Sequence, residues 1–470
     1  MLRLISSAAL LFASAAHAFC GFYVSSADAD LFHDATMVVL MRDGTRTVLS
    51  MQNNYRGPPE DFALVIPVPV VLKKEMVKTL PKTAFERLDT IASPRLVEEY
   101  APGLCPPVAR YSAGAMPNDD SPVRKMPRDL GVKVEAKFEV GEYEIVVLSA
   151  KDALGLDIWL KENKYKIPAN AEPLLKPYVQ NNWKFFVARV NIRKVTFTDG
   201  KAVLSPLRFF YDSEKFELPV RLGLVNSSGE QDLIVHIIAK SRFELANRKN
   251  VFVPSNVQLK PSVQTEFGGF YAELLGRTFK ASQGAAITEF AWKGALPPPT
   301  VMRGGGIYGV TCDPCPPPSP VDDPLAKYLG ADVMPGLKTD EDIAKFASAA
   351  TVTRLHLRYT AESLTDDLVF KAAEPIAGGI PEVPKTAPAK ENRFQGRYIV
   401  SKPFDVSQCD RYDMANQGFV PVGSSLAGAA GKQAASQKLS AAFESYLREG
   451  IVELDIKALP EVKKAPVKTK

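Results

Sequence analysis

Apolar and polar positions alternate most cleanly over Val132–Val140. Val132, Val134, Ala136, Phe138 and Val140 lie between Lys133, Glu135, Lys137 and Glu139. A period of two puts each set on its own face, which predicts an antiparallel strand with one wet side. Gly141 turns the chain into a second strand, Tyr143–Leu148. Met37–Met41 and Thr47–Met51 flank Arg42-Asp43-Gly44-Thr45, and Asp-Gly between apolar runs is a two-residue hairpin signal. Asp199-Gly200 repeats the signal between Val195–Thr198 and Ala202–Leu204. Asp61–Val71 is a continuous apolar run in which Pro67 and Pro69 remove N–H donors along one edge, predicting an edge strand or an extended exit. Lys184–Ile192 and Val352–Tyr359 are further strands. Leu233–Ile238 is apolar except for His236 and reads as a central strand, with Val220–Val225 as its hairpin partner around Ser227-Ser228-Gly229.

Helical spacing is rarer. Phe85, Leu88, Ile91 and Ala92 share a face, Pro94 interrupts, and Leu96, Val97 and Tyr100 predict a second short turn. Ser149 opens a helix with Asp152 as an imperfect capping box and a stripe of Leu156, Trp159 and Leu160. Asn170 caps another, with Pro173 in its first turn ahead of Leu174, Leu175, Tyr178 and Val179. Phe267–Phe279 and Asp340–Ala350 are also helical. Leu439, Phe443, Tyr446 and Leu447 predict a C-terminal helix. Pro- and Gly-rich loops fill 101–130, 294–336 and 373–392. The expected fold class is α+β, predominantly antiparallel β-sheet with several flanking helices and long Pro-rich loops. The parts run 1–18, 19–130 (β-rich with a Pro-rich linker), 131–296 (central α+β), 297–420 (the Pro/Gly-rich loop and a returning strand) and 421–470 (the helix and a lysine-rich disordered tail).

The first eighteen residues change the picture. Arg3, the apolar run Leu4–Ala15 and Ala16-His17-Ala18 have the layout of a secretory signal, cut between Ala18 and Phe19. The mature protein is then expected in the periplasm or secreted. No later run reaches 18 apolar residues, so no transmembrane anchor is expected in the mature chain; Val422–Ala430 reads as a flexible loop. With 58 Lys+Arg against 53 Asp+Glu, the net charge of +5 is too small to point to nucleic acid. The aromatics Trp183, Phe185 and Phe186 are read as core for the same reason.

Five cysteines, Cys20, Cys105, Cys312, Cys315 and Cys409, outlast signal cleavage and are disulfide candidates of open connectivity. Cys312-Asp313-Pro314-Cys315 is alternatively a thiol–disulfide exchange pair. However, Pro316-Pro317-Pro318 denies it a helix N-terminus, and Asp313 disfavours a thiolate. A zinc site from Cys312, Cys315, Cys409 and His356 has the right ligand types but one diagnostic spacing. His33, His236 and His356 are the histidines of the mature chain; the last two lie in strand-like runs and read as structural. No G-x-S-x-G or H-E-x-x-H occurs. Gly304-x-Gly306-x-x-Gly309 lacks the strand and helix that a dinucleotide site needs. Glu60-Asp61, Asp322-Asp323 and Asp366-Asp367 read as solvated, and Asp28 with Asp30 is too little for a cation site. No catalytic residue, cofactor or metal is assigned.

The stretches CGFYVSSADADLF (20–32), VVLMRDGTRTVLSMQNNYRGPPEDFALVIPVPVVL (38–72), SPRLVEEY (93–100) and GEYEIVVLSAKDALGLDIWLKENKYKIP (141–168) resemble the bacterial domain-of-unknown-function 2330 family. So do LRFFYDSEKFELPVRLG (207–223), CDPC (312–315), VTRLHLRYTAESLTDDLVF (352–370) and FQGRYIVSKPF (394–404). The resemblance implies an exported bacterial protein and transfers no catalytic residue. The expectation is a non-catalytic binding or cell-envelope structural module stapled by disulfides, with an envelope protein or a small molecule as partner. The alternative is a thiol–disulfide exchange or metal-binding protein using Cys312 and Cys315.

Overall fold

The computed structural model describes residues 22–24, 36–52, 63–100, 103–104, 133–163, 165, 171–198, 201–226, 229–296, 325–402, 419–420, 423–430 and 438–448. Among the described residues strands form 40% and α-helices number six, which makes the fold α+β with sheet predominant.

The main sheet is built around the apolar runs. Its order begins with β23 (Ala387–Pro388), β22 (Ile376–Gly378), β24 (Arg393–Gln395), β19 (Ala286–Lys293) and β20 (Thr351–Tyr359). It continues through β15 (Gln231–Ala239), β2 (Thr36–Asp43), β3 (Arg46–Met51), β13 (Leu207–Asp212) and β5 (Val77–Thr79), with β17 (Asn250–Phe252) beside β19. A second sheet runs β1 (Phe22–Val24), β4 (Ala63–Val68), β10 (Lys184–Val190), β9 (Tyr143–Ser149) and β8 (Lys133–Val140). A third runs β18 (Val257–Leu259), β25 (Arg397–Lys402), β6 (Arg95–Tyr100) and β27 (Gly423–Ala429). Smaller pairings join β11 (Thr196–Thr198) to β12 (Lys201–Val203), β7 (Gly103–Leu104) to β26 (Phe419–Val420), and β21 (Leu368–Ala373) to β14 (Glu217–Leu218) and β16 (Arg242–Leu245).

Alternation along the central strands explains the layering. On β2, Val38 and Leu40 face the second sheet through one core, while Met37, Val39 and Met41 face helices through another. Leu233, Val235 and Ile237 on β15 divide from Ile234 and Ile238 in the same way. Both faces are covered, so both strands read as continuous apolar runs. The helical layer on the far face holds α1 (Lys82–Ala92), α5 (Leu325–Leu329) and α6 (Asp340–Ala349). The helices α2 (Ala153–Glu162) and α3 (Ala171–Gln180) cover the outer face of the second sheet. The remaining helix, α4 (Phe267–Ala281), packs Phe270, Tyr271, Leu274 and Leu275 into a separate core at the β19 end of the main sheet.

Several expectations need correction. Leu96, Val97 and Tyr100 belong to a strand, not a helical turn: β6 lies between parallel β25 and antiparallel β27, and Pro94 disfavours helix in the residue before it. Val220–Val225 is not a strand; Arg221–Asn226 forms a 3-10 turn, and β15 pairs with distant β2 (parallel) and β20 instead. The helix after β9 starts at Ala153 with Asp152 as its cap, accepting from the Gly155 N–H at 2.6 Å, while Ser149 stays in β9 and donates to Glu135. In the first hairpin Asp43 is the last paired residue and Gly44-Thr45 forms the turn, so only Gly44 takes positive φ (+55°). Gly141 does the same between β8 and β9. Pro67 lies opposite Phe185 of β10, while among the described residues β1 pairs only with Ala63–Val65, so the other edge of β4 is open at Pro67. The reading of Val422–Ala430 as a loop gives way to β27. The residues from Leu439 to Leu447 form no α-helix; Phe443–Tyr446 is one 3-10 turn in an otherwise extended segment. Its aromatics are still buried, with Phe443 stacked on Phe270 at 4.9 Å. Asn170 and Asp199-Gly200 lie outside the described residues, as does the tail from Lys457.

Candidate functional site

Three strands and two helices bring charged side chains together inside this apolar frame. Arg354, His356 and Arg358 stand at alternate positions of β20 and so share one face. Across the ladder His236 pairs with Arg354, and Asp232 pairs with Arg358, both from β15. Glu289 comes from β19 at an irregularity: Thr288 pairs with Leu355 and Phe290 with Arg354, which leaves Glu289 as the extra residue. A bulge re-aims a side chain, and here it delivers a carboxylate between Arg354 and His356. Asp89 arrives from α1, and Tyr271 from α4.

The contacts form a line. Asp89 accepts from Arg354 Nη1, and Arg354 Nε donates to Glu289 Oε2 at 2.5 Å. Glu289 Oε1 meets His356 Nδ1 at 3.0 Å, and His356 Nε2 meets Asp232 Oδ1 at 3.2 Å. Arg358 closes the line with Nε and Nη2 on the two Asp232 oxygens, each at 2.9 Å. Tyr271 donates its hydroxyl to Glu289. Side-chain exposure is 1% at Arg354, 0% at Glu289 and 4% at His356, rising to 18% at Arg358. The interior of the line is dry and Arg358 is its wetter end.

The electrostatics follow from this order. Burial pushes the Glu289 and Asp232 carboxyls up, but the neighbouring cations outweigh it and hold both down at about 2. Burial pulls His356 down, yet Glu289 and Asp232 on its two nitrogens raise it above the ordinary histidine value. With His356 protonated the line holds three cations and three carboxylates. His236 is the opposite case: burial and the adjacent Arg354 charge lower it to about 3. It is neutral, with Nε2 3.3 Å from Arg354 Nη1 and Nδ1 without a partner among the described residues.

Arg358 also lines an open groove of about 570 Å³. One wall is α4, with Glu273, Gly276 and Arg277; the other is the segment carrying Lys438 and Glu444. Arg277 bridges the walls, with Nε 3.0 Å from Glu273, Nη1 2.8 Å from Glu444 and its guanidinium 4.3 Å from the Phe443 ring centre. Glu266 fastens the second wall by accepting from Ser440 and from the Tyr446 hydroxyl. Gly269 lets that wall approach: a Cβ there would stand 2.8 Å from the Lys438 carbonyl oxygen.

The cysteines Cys20, Cys105, Cys312, Cys315 and Cys409 lie outside the described residues, as do His33, Asp28, Asp30, Glu60-Asp61, Gly304–Gly309 and Asp322-Asp323. His356 has a carboxylate at each ring nitrogen. Asp367 is not a solvated carboxylate: it accepts from the Tyr178 hydroxyl and from the N–H groups of Val220 and Arg221, while Asp366 is exposed. Phe185 and Phe186 are fully buried on opposite faces of β10. Sequence reasoning singled out His236 and His356 but missed Asp89, Asp232, Tyr271, Glu289, Arg354 and Arg358. One signal was available: Arg354-x-His356-x-Arg358 puts three basic side chains on one face of a strand that also carries Val352, Leu355 and Leu357.

The model of a family described as "Uncharacterized protein conserved in bacteria (DUF2330)" matches residues 14–371. No curated protein and no solved structure matches the chain.

Proposed function

We propose that this chain, which belongs to the DUF2330 family of bacterial proteins, is an exported, non-catalytic binding module of the cell envelope. One observation carries the reading. Among the described residues, Arg354, Glu289 and His356 are sealed and paired with one another, while an open groove lies beside them, over Arg358. A general acid or base must reach its substrate, and Glu289 and His356 are covered by α4. A groove with a few fixed polar groups is what a binding site requires.

Export rests on the layout of Met1–Ala18, and disulfide pairing of four of the five cysteines follows from it. No helix among the described residues is long and apolar enough to cross a membrane. The test joins address to activity. Protein recovered from the periplasmic fraction is expected to begin at Phe19 and to hold at most one free thiol under denaturing conditions. Ligand screening is expected to find saturable binding without turnover. Native protein that begins at Met1 and fractionates with the cytosol overturns the export; a rapidly alkylated low-pKa thiol at Cys312 replaces the binding reading with thiol exchange.

A further inference from the structure

The line of six charges alternates in sign from Asp89 through Arg354, Glu289, His356 and Asp232 to Arg358. It begins on a carboxylate of α1 and ends on a cation at the groove. Asp232 is shared between His356 and Arg358, and Glu230 is the other carboxylate whose charge acts on Arg358. Its Nε and Nη2 are spent on Asp232, and Nη1 remains. What faces Nη1 is a glycine: a Cβ built at Gly276 would stand 3.7 Å from that nitrogen and, outside its own turn of helix, within 4 Å of no other described atom. Glycine weakens a helix interior relative to alanine, and at this turn of α4 it leaves the guanidinium uncovered. The Phe279 ring, 5.0 Å from the guanidinium carbon, and the bidentate pair with Asp232 fix the donor in place before anything binds. On the opposite wall the Lys438 side chain is exposed and has no ion pair among the described residues, while Arg277 already holds Glu273 and Glu444.

We infer that the groove takes a ligand carrying a single oxyanion group, carboxylate or phosphate, seated on Arg358 Nη1 beside Lys438 as the seventh member of the alternating line. This rests on the binding reading and adds the ligand's chemistry to it. Two carboxylates on Arg277 set the limit of one anionic group, because a polyanion would meet them on the far side.

The experiment titrates the full mature protein with inorganic phosphate and, separately, with butyrate. Each is compared with sodium chloride at equal ionic strength, and binding is followed by ligand-detected NMR. Saturable binding of either probe is expected; phosphate alone or butyrate alone identifies the source, and both support the site. Gly276→Leu is expected to weaken binding at least tenfold by covering Nη1, and Lys438→Glu several-fold. Gly276→Ala, which meets nothing closer than 3.7 Å, serves as the folded control. No binding of either probe above the chloride control overturns the inference, and so does unchanged affinity in a folded Gly276→Leu protein. A neutral ligand found in the groove also overturns it while leaving the binding reading intact; turnover of a bound ligand defeats the binding reading itself.

Discussion

Replacing His356 by glutamine tests whether the buried line works as a charge-balanced unit. The change keeps a polar side chain of similar reach and removes one cation. Asp232 keeps Arg358, and Glu289 keeps Arg354 and the Tyr271 hydroxyl, but three carboxylates then face two cations in a dry interior. Removing one partner of a buried pair costs about 3–5 kcal/mol. The cost must depend on pH, because the wild-type ring loses its charge on its own in alkali. The groups facing it are Asp232 and His236 from β15, Glu289 from β19, Arg354 and Arg358 from β20, Tyr271 from α4 and, through Arg354, Asp89 from α1. The folded pKa of His356 is raised. Its stabilisation is therefore complete below the unfolded value, about 6.5, and is lost as pH rises through the folded value. In that window wild-type stability falls by about 1.4 kcal/mol per pH unit. Urea unfolding of both proteins at pH 6 and at half-unit steps to pH 9.5 is the assay. The difference between them is expected to be largest at pH 6 and to shrink in alkali. A difference that stays constant across the range would show that folding does not raise the His356 pKa, and the line would then not be a charge-balanced unit.

Acid should act through other members. Asp232 and Glu289 lie at about 2, so their stabilisation holds above the unfolded carboxyl value and disappears as pH falls toward 2; His236, lowered to about 3, adds a loss that begins below about 6.5, where the unfolded ring takes up a proton. Chemical denaturation between pH 7 and 3 should show a continuous decline with no plateau near pH 5. Phe443→Ala empties a site stacked on Phe270 and should cost about 3–5 kcal/mol, read as a lower urea midpoint together with earlier proteolytic cutting near 438–448. Gly379→Ala meets both a positive φ of +68° and the Gln395 carbonyl oxygen at 2.0 Å from the new Cβ; it should yield little folded protein by circular dichroism. A chain ending at residue 371, the limit of the family match, should not fold, because β25 lies between β18 and β6 and β24 lies beside β19; a chain ending at 448 should give a cooperative thermal transition.

Where burial follows a local period, the elements are legible from residue order alone. Phe85, Leu88, Ile91 and Ala92 are all buried on α1, and Asp340–Ala349 carries its capping box at Thr339 as helix chemistry requires. The hairpins at Gly44 and Gly141 were equally plain, because a short turn leaves few choices. What failed was decided by distant partners. Leu96 and Val97 have helical neighbours in sequence, but two strands from 397–402 and 423–429 claim their backbone. Residues 220–225 satisfy a strand pattern, yet β2 and β20 had already occupied both edges of β15. The site was less legible still. Its carboxylates come from positions 89, 232 and 289, each unremarkable alone, and Glu289 reaches the others because of a bulge that no period announces.

The same bulge bears on how the parts depend on one another. Glu289 is fully buried, and it takes contacts from β20 on one side and from Tyr271 of α4 on the other. The helix that covers the charged line is thus also tied to it, and that helix forms a wall of the groove. The opposite wall stands on the same helix through Glu266, Phe270 and Arg277. A charge lost inside the line loosens the seat of α4, and a ligand on Arg358 pulls on Asp232 and hence on His356. Binding at the groove and protonation at His356 are therefore linked through shared residues: an anion that stabilises the cationic end should raise the histidine's proton affinity, and raising the pH should weaken the anion by the same free energy.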